Sequence, residues 1–229
     1  MLDQIGFKVT LLEGGYKAFR AAVVEDIGRL VAPLRFEVIC GKTGSGKTRL
    51  LHALRDAGAQ VLDLEDLANH RSSVLGMIPG LPQPTQKGFE TLVWHALSQL
   101  DPARTVYVES ESKKVGNVAV PAPVIDAMRA SPCIHLELPE DERVALLLED
   151  YDFFVQDIGF FCERLDALTQ IRGKAVVQGW QDRARAGQVA EVVRELLVQH
   201  YDPVYVQSMQ RNFSQFGAAK TIANRGHSV

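Results

Sequence analysis

The chain has 229 residues, 46% hydrophobic and 23% charged, the balance of a globular protein that buries a full core without a staple. Its net charge of −3 supplies no overall attraction to nucleic acid, so an RNA contact has to rest on a local basic surface. Cys40, Cys133 and Cys162 are widely spaced and form no CxxC pair, which argues against a zinc site or a secreted disulfide framework and suits a reducing cytoplasm. Met1 to Gly15 carries Asp3, Lys8 and Glu13 and lacks the apolar run of a signal peptide or spanning helix, so no membrane partner is expected and the expected location is cytoplasmic.

In chain order, Phe7 to Leu12 reads as a short strand, Glu13 to Tyr16 as a turn, and Lys17 to about Leu30 as a helix. A strand, a glycine pair and a helix enclose no core, so this unit reads as the tail of a module whose body lies elsewhere. Phe36 to Cys40 is apolar but for Glu37, the pattern of a buried strand in a parallel sheet. From Lys47 to Ala57 the positions Leu50, Leu51, Leu54 and Ala57 mark one helix face, and Gly58 follows as a cap. Val61–Leu64, Val106–Glu109 and Ile134–Leu138 read as further strands and Phe89–Leu100 as a helix. Strands alternating with helices predict an α/β fold with a mainly parallel sheet flanked by helices. After Pro139, Glu140, Asp141 and Glu142 open a helix that runs through Leu148, their charge suiting the positive end of its dipole. The rest reads as a helical C-terminal part, with Val189, Val192, Val193, Leu196 and Leu197 at helical spacing.

The chemistry is announced at Gly41-Lys42-Thr43-Gly44-Ser45-Gly46-Lys47-Thr48, a full match to the P-loop, and it sits as that motif requires between an apolar strand and an amphipathic helix. Glycines at 41, 44 and 46 free backbone N–H groups to point at a phosphate together with that of Ser45. The helix start adds its dipole, Lys47 supplies a mobile cation, and the Thr48 hydroxyl is placed for Mg²⁺. A P-loop also takes an acidic residue from a neighbouring strand end. Glu109 and Glu111, on one side of an extended segment, are the first candidates; Asp63 and Glu65, at the end of another strand, compete. The expected metal ligands are thus Thr48, Asp63 and Glu109, and the expected catalytic groups Lys47, Glu109 and Glu111. His70 and Arg71, ahead of Ser72 and Ser73, are candidates for phosphate contact, and Lys113 and Lys114 are similar.

Cys40, just before the loop, reads as a small buried hydrophobe, as do Cys133 and Cys162. In the carboxyl third, Arg164, Arg172, Lys174, Arg183, Arg185, Arg194, Arg211, Lys220 and Arg225 interleave with Trp180, Tyr201, Tyr205 and Phe213. Such a pattern can grip phosphates and stack bases, and is equally the wet and dry faces of ordinary helices.

The P-loop GKTGSGKT, the stretch Val61–Arg71 (VLDLEDLANHR), the stretch Val108–Gly116 (VESESKKVG) and the late Tyr201-Asp202-Pro203-Val204-Tyr205 together resemble the tRNA 2-selenouridine synthases over nearly the whole chain. The resemblance implies a P-loop NTPase-like module over 33–150, a helical region over 151–229 packed on it, and in 1–32 the remnant tail of a rhodanese-like module. It implies action on the wobble 2-thiouridine of the tRNA anticodon region: geranylation from geranyl diphosphate, then replacement of sulfur by selenium from selenophosphate. On that reading the P-loop holds a diphosphate leaving group with Mg²⁺, ATP being the alternative occupant. Gly6–Ala18 (GFKVTLLEGGYKA) resembles the close of the rhodanese-like module, and the family's reactive cysteine lies upstream of it. Three expectations stand side by side: a separate chain supplies the rhodanese-like part that selenium transfer needs, the chain is a truncated product, or the prenylation half alone survives. The rival readings are a P-loop small-molecule kinase or NTPase, and a non-catalytic half that works only on such a partner.

Overall fold

The structure is a computed structural model that describes residues 5, 6 and 8–223. Helix α1 (Gly15–Val31) leads into strand β1 (Arg35–Gly41), then α2 (Lys47–Asp56), β2 (Gln60–Leu62), α3 (Leu64–Ala68), α4 (Gln86–Ser98) and β3 (Thr105–Glu109). A hairpin of β4 (Lys114–Val115) and β5 (Val118–Ala119) precedes α5 (Ala122–Ala130) and β6 (Cys133–Glu137). The helices α6 (Glu140–Asp150), α7 (Asp152–Gln156), α8 (Ile158–Leu165), α9 (Thr169–Arg172), α10 (Lys174–Arg185), α11 (Val189–Leu196) and α12 (Asp202–Asn212) follow, and β7 (Lys220–Ala223) ends the described chain.

The sheet has the order β2-β3-β1-β6-β7, and every pairing in it is parallel. Residues on β1 alternate between two cores because strand side chains alternate between faces. Phe36, Val38 and Cys40 join Val106, Val108 and Cys133 under α1, α4 and α5. Ile39 turns the other way, with Leu136, onto Leu50, Leu51 and Leu54 of α2. From β1 the chain crosses to strands on either side, so the carboxyl end of β1 is the switch point at which ligands bind in such sheets.

A third core lies in the carboxyl region, where Phe161, Leu165, Trp180, Val192 and Leu196 pack together and Leu75 reaches in from the loop after α3. Much of the interleaved basic pattern is used here as structure. Trp180 is fully buried and donates through Nε1 to Glu195 at 2.9 Å. Arg183 pairs with Glu195, and Arg194 pairs with Glu140 and Asp141. Arg225 lies outside the described residues.

Two expectations need correction, and a third element finds its place. No strand forms over Phe7–Leu12: Phe7 lies outside the described residues, residues 8–12 pair with no strand, and the Leu12 carbonyl accepts from Gly15 N at 2.9 Å in a turn into α1. Helix α1, within the segment expected as a remnant tail, packs as a layer of the sheet domain, because Val23, Ile27 and Val31 repeat at four-residue spacing and bury in the sheet core. The carboxyl part is not helical to its end, since β7 adds to β6 in register Ile134↔Lys220 through Glu137↔Ala223. Its side chains are all exposed, so no hydrophobic period could announce it. Among the described residues no helix is long and apolar enough to cross a membrane.

Candidate functional site

The loop from β1 to α2 takes the P-loop shape through Gly44 (φ 79°) and Gly46 (φ 84°), the left-handed backbone that only glycine adopts freely. A Cβ on Gly44 would also sit 2.9 Å from the Arg143 carbonyl oxygen. Gly46 caps α2 without a side-chain bond, which leaves the first helical N–H groups to face an anion. Lys47 Nζ donates back to the loop carbonyls of Gly41 (2.9 Å) and Lys42 (3.5 Å).

The carboxyl region holds this loop from outside. Arg143 of α6, only 4% exposed, donates through Nε to the Thr43 carbonyl at 2.9 Å and grips Asp202 of α12 through both terminal nitrogens, at 2.9 and 2.6 Å. Lys42 Nζ lies 3.3 Å from the same carboxylate. Burial works to raise the Asp202 carboxyl, yet the charges of Arg143 and Lys42 hold it below the usual range. One turn later Tyr205 accepts from Gly41 N at 2.6 Å, and burial pushes its hydroxyl up.

Three carboxylates close the other side. Pairing Ile39↔Glu109 sets Glu109 beside the last residues of β1, and pairing Leu62↔Val108 brings the chain after β2 to the same edge. Oxygens of Glu65, Glu109 and Glu111 lie within 4.8 Å of one another. Glu109 is 5% exposed and Glu111 4%. Burial first, and then the Glu65 charge, push Glu109 up to about 8 against the pull of Lys47 and Thr48. Burial with the charges of Glu65 and Glu109 raises Glu111 well above the usual range, and burial raises Glu65 as well. Ser72 N donates to Glu65. Glu109 Oε1 has no hydrogen-bond partner among the described residues. Like charges crowded with an orphaned oxygen are a donor set suited to a hard divalent cation.

Gly44, Gly46, Lys47, Thr48, Arg71, Glu109 and Glu111 thus line one cavity of about 310 Å³. Gly41 and Ser45 support the loop from behind it: Gly41 through the Tyr205 bond and Ser45 as a residue 1% exposed. Two of the expected residues stand elsewhere. Asp63 is occupied as the cap of α3, accepting from Asp66 N at 2.9 Å, and pairs with His52 Nε2 at 2.9 Å; Glu65 takes its place in the cluster. His70 is buried away from the phosphate cavity, bridged to Met77, and lines a separate groove; burial lowers its pKa. Arg71 instead lines the cavity and lies 4.5 Å over the Tyr151 ring.

The sequence points to no role for Arg143 or Tyr151, and marks Tyr201, Asp202 and Tyr205 only as a motif and the two tyrosines as base-stacking candidates, without the partners they have here. A widened, π-type turn over Leu197–Tyr201 swings Tyr201 into the cavity wall, the kind of local distortion common at functional sites. Burial raises Tyr151, and raises Tyr201 to about 12, in both cases against a hydrogen bond with Ser73. At Ser73 the phosphate cavity meets a second, narrow cleft of about 50 Å³ whose walls are Leu75, Leu147, Leu148, Phe154, Val193 and Leu197.

A family profile described as the tRNA 2-selenouridine synthase AAA domain matches residues 34–163. Among curated relatives, the tRNA 2-selenouridine synthase of Alcanivorax borkumensis is 31% identical over 92% of this chain and 64% of its own. That of Hydrogenovibrio crunogenus is 32% identical over 90% and 63%, and that of Nitrosomonas eutropha 39% identical over 66% and 39%. The chain spans just under two thirds of the length of the first two of these relatives. No solved structure matches it.

Proposed function

Because the chain belongs to the tRNA 2-selenouridine synthase family, we propose that it acts on the wobble 2-thiouridine of tRNA, transferring a geranyl group from geranyl diphosphate to sulfur. The observation that carries this reading is the apolar cleft that opens directly off the phosphate cavity, with Thr43, Ser73, Leu147, Tyr151 and Tyr201 common to both. A polar cradle joined to a leucine- and valine-walled slot matches in polarity an ester with a charged head and a hydrocarbon tail, and at about 50 Å³ the slot has to widen to take ten carbons. ATP carries no such tail, so a kinase or NTPase leaves the slot without a purpose.

In this reaction the thiocarbonyl sulfur attacks C1 of the geranyl group. The bond from C1 to the diphosphate oxygen breaks, with its electron pair leaving on the diphosphate, and the base gives up its N3 proton. Lys47 and the N–H groups at the start of α2 stabilise the charge that grows on the leaving group. Arg71 faces the same cavity and adds a second cation. Glu111 lines the same cavity and in its ionised form receives the proton. Thr48, Glu109 and Glu65 are the residues that fit Mg²⁺, which when bound supplies positive charge to the diphosphate. Arg143 and Asp202 keep the loop in shape. Replacement of the geranylated sulfur by selenium from selenophosphate requires a rhodanese-like module in addition.

The test is thermal stabilisation by geranyl diphosphate or ATP, each with Mg²⁺, on wild type and Lys47→Ala. A ligand at 100 times its Kd stabilises the native state by about 2.7 kcal/mol. The expected outcome is a shift with geranyl diphosphate that Lys47→Ala abolishes; a shift with ATP alone would replace this reading by a kinase or NTPase.

A further inference from the structure

We propose that the open groove on the far side of Ser72–Val74 is the seat of the RNA acceptor, which extrudes its target base toward Ser73. This rests on the alkyl-transfer reading above and names the acceptor site that reading lacks. Three cavities meet at Ser73: the phosphate cavity, the apolar cleft, and a groove of about 1410 Å³ that shares Ser72, Ser73 and Val74 with the first. With the leaving diphosphate in one arm and the tail in the second, an attacking sulfur must reach the same carbon from a third direction, and the groove is the arm that remains.

Its chemistry suits an RNA loop. Lys114 and Arg164 bring two positive charges to the groove. Against them stands Asp157, whose carboxylate is engaged at the start of α8 by Phe160 N at 2.9 Å. Arg164 donates to the Val74 carbonyl at 3.4 Å, and its Nε is buried with no partner among the described residues. Phe153 and Phe160, with ring centroids 6.5 Å apart, line the wall as faces on which bases stack. Extruding a base from a loop costs little, because the loop bases are not held in a duplex. The groove is far larger than one nucleoside needs, so the flanking nucleotides fit in it as well.

The test measures binding of an anticodon stem-loop RNA carrying 2-thiouridine at the wobble position. Lys114→Glu and Asn117→Trp, both at exposed groove positions, and Arg164→Ala are compared with wild type and with Arg185→Ala, an exposed arginine outside the groove. The groove variants are expected to weaken binding roughly fivefold or more, leaving Arg185→Ala and the geranyl diphosphate shift as in wild type. RNA affinity unchanged in all three groove variants, or no RNA binding by wild type, overturns the proposal. In a second measurement, RNA with 4-thiouridine at the wobble position is crosslinked by light. Crosslinks within 77–83, 114–117 or 153–164 support the groove, and crosslinks confined elsewhere sink it. Loss of RNA binding in the variants with no geranyl diphosphate shift in wild type would keep the groove and reject the alkyl-transfer reading.

Discussion

The Tyr205 hydroxyl accepts a hydrogen bond from the backbone N–H of Gly41 at 2.6 Å across 164 residues of chain. That bond fastens α12 to the first residue of the P-loop and takes up a donor that has no partner within β1. Tyr205→Phe leaves the Gly41 N–H unmatched in a half-buried place, and is expected to cost about 1–2 kcal/mol. The midpoint of urea unfolding measures the loss, and weaker retention of inorganic pyrophosphate with Mg²⁺ shows that the loop itself has loosened.

Asp202 is the counter-charge of an arginine that water scarcely reaches. Removing it in Asp202→Ala leaves Arg143 buried and unpaired, an expected loss of roughly 3 kcal/mol. Arg143→Met added to Asp202→Ala recovers part of that, because the stranded charge is gone. A double-mutant cycle on the urea midpoints gives the coupling; additive losses would show that the pair does not hold the loop.

The carboxylate cluster makes stability depend on pH when Mg²⁺ is chelated. The folded Glu109 carboxyl, at about 8, lies above its ordinary value of 4.5, so the folded state binds the proton more tightly than the unfolded chain. The stabilising contribution is full below the unfolded value and is lost as pH rises through the folded one. Stability without Mg²⁺ is thus expected to fall from about pH 4.5 to about pH 8, and Glu109→Gln to flatten that slope. Added Mg²⁺ restores stability at pH 8 in wild type and not in Glu109→Gln. Urea midpoints across this range, with chelator or Mg²⁺, are the measurement.

Val193 faces the apolar cleft from α11 and is only partly buried. Val193→Phe fills the slot without touching the phosphate cradle. Geranyl diphosphate is expected to bind at least roughly tenfold more weakly, or about 1.4 kcal/mol, while inorganic pyrophosphate binds as before. Calorimetric titration separates the two ligands; equal losses for both would place the tail elsewhere.

Local structure is written along the chain: the P-loop octapeptide carries its own conformational instructions in Gly44 and Gly46. The apolar run of β1 and the stripe on α2 reveal a buried parallel strand and its crossover helix, because side-chain period reports burial directly. Glu109 and Glu111 were legible for the same reason, as polar residues ending an apolar strand. Choices between chemically equal groups, and contacts across long stretches of chain, wait for the folded arrangement. Asp63 and Glu65 look alike in sequence, and differ because the first is spent on capping α3 while the second turns toward Glu109. Helix α1 found its place only when α4 and α5 covered its stripe. The clasp of Arg143, Asp202 and Tyr205 on the loop joins positions 59 or more residues apart, and the apolar cleft beside it gathers separate segments from Thr43 to Tyr201. No periodicity encodes such meetings, since they follow from how the carboxyl helices close over the end of the sheet.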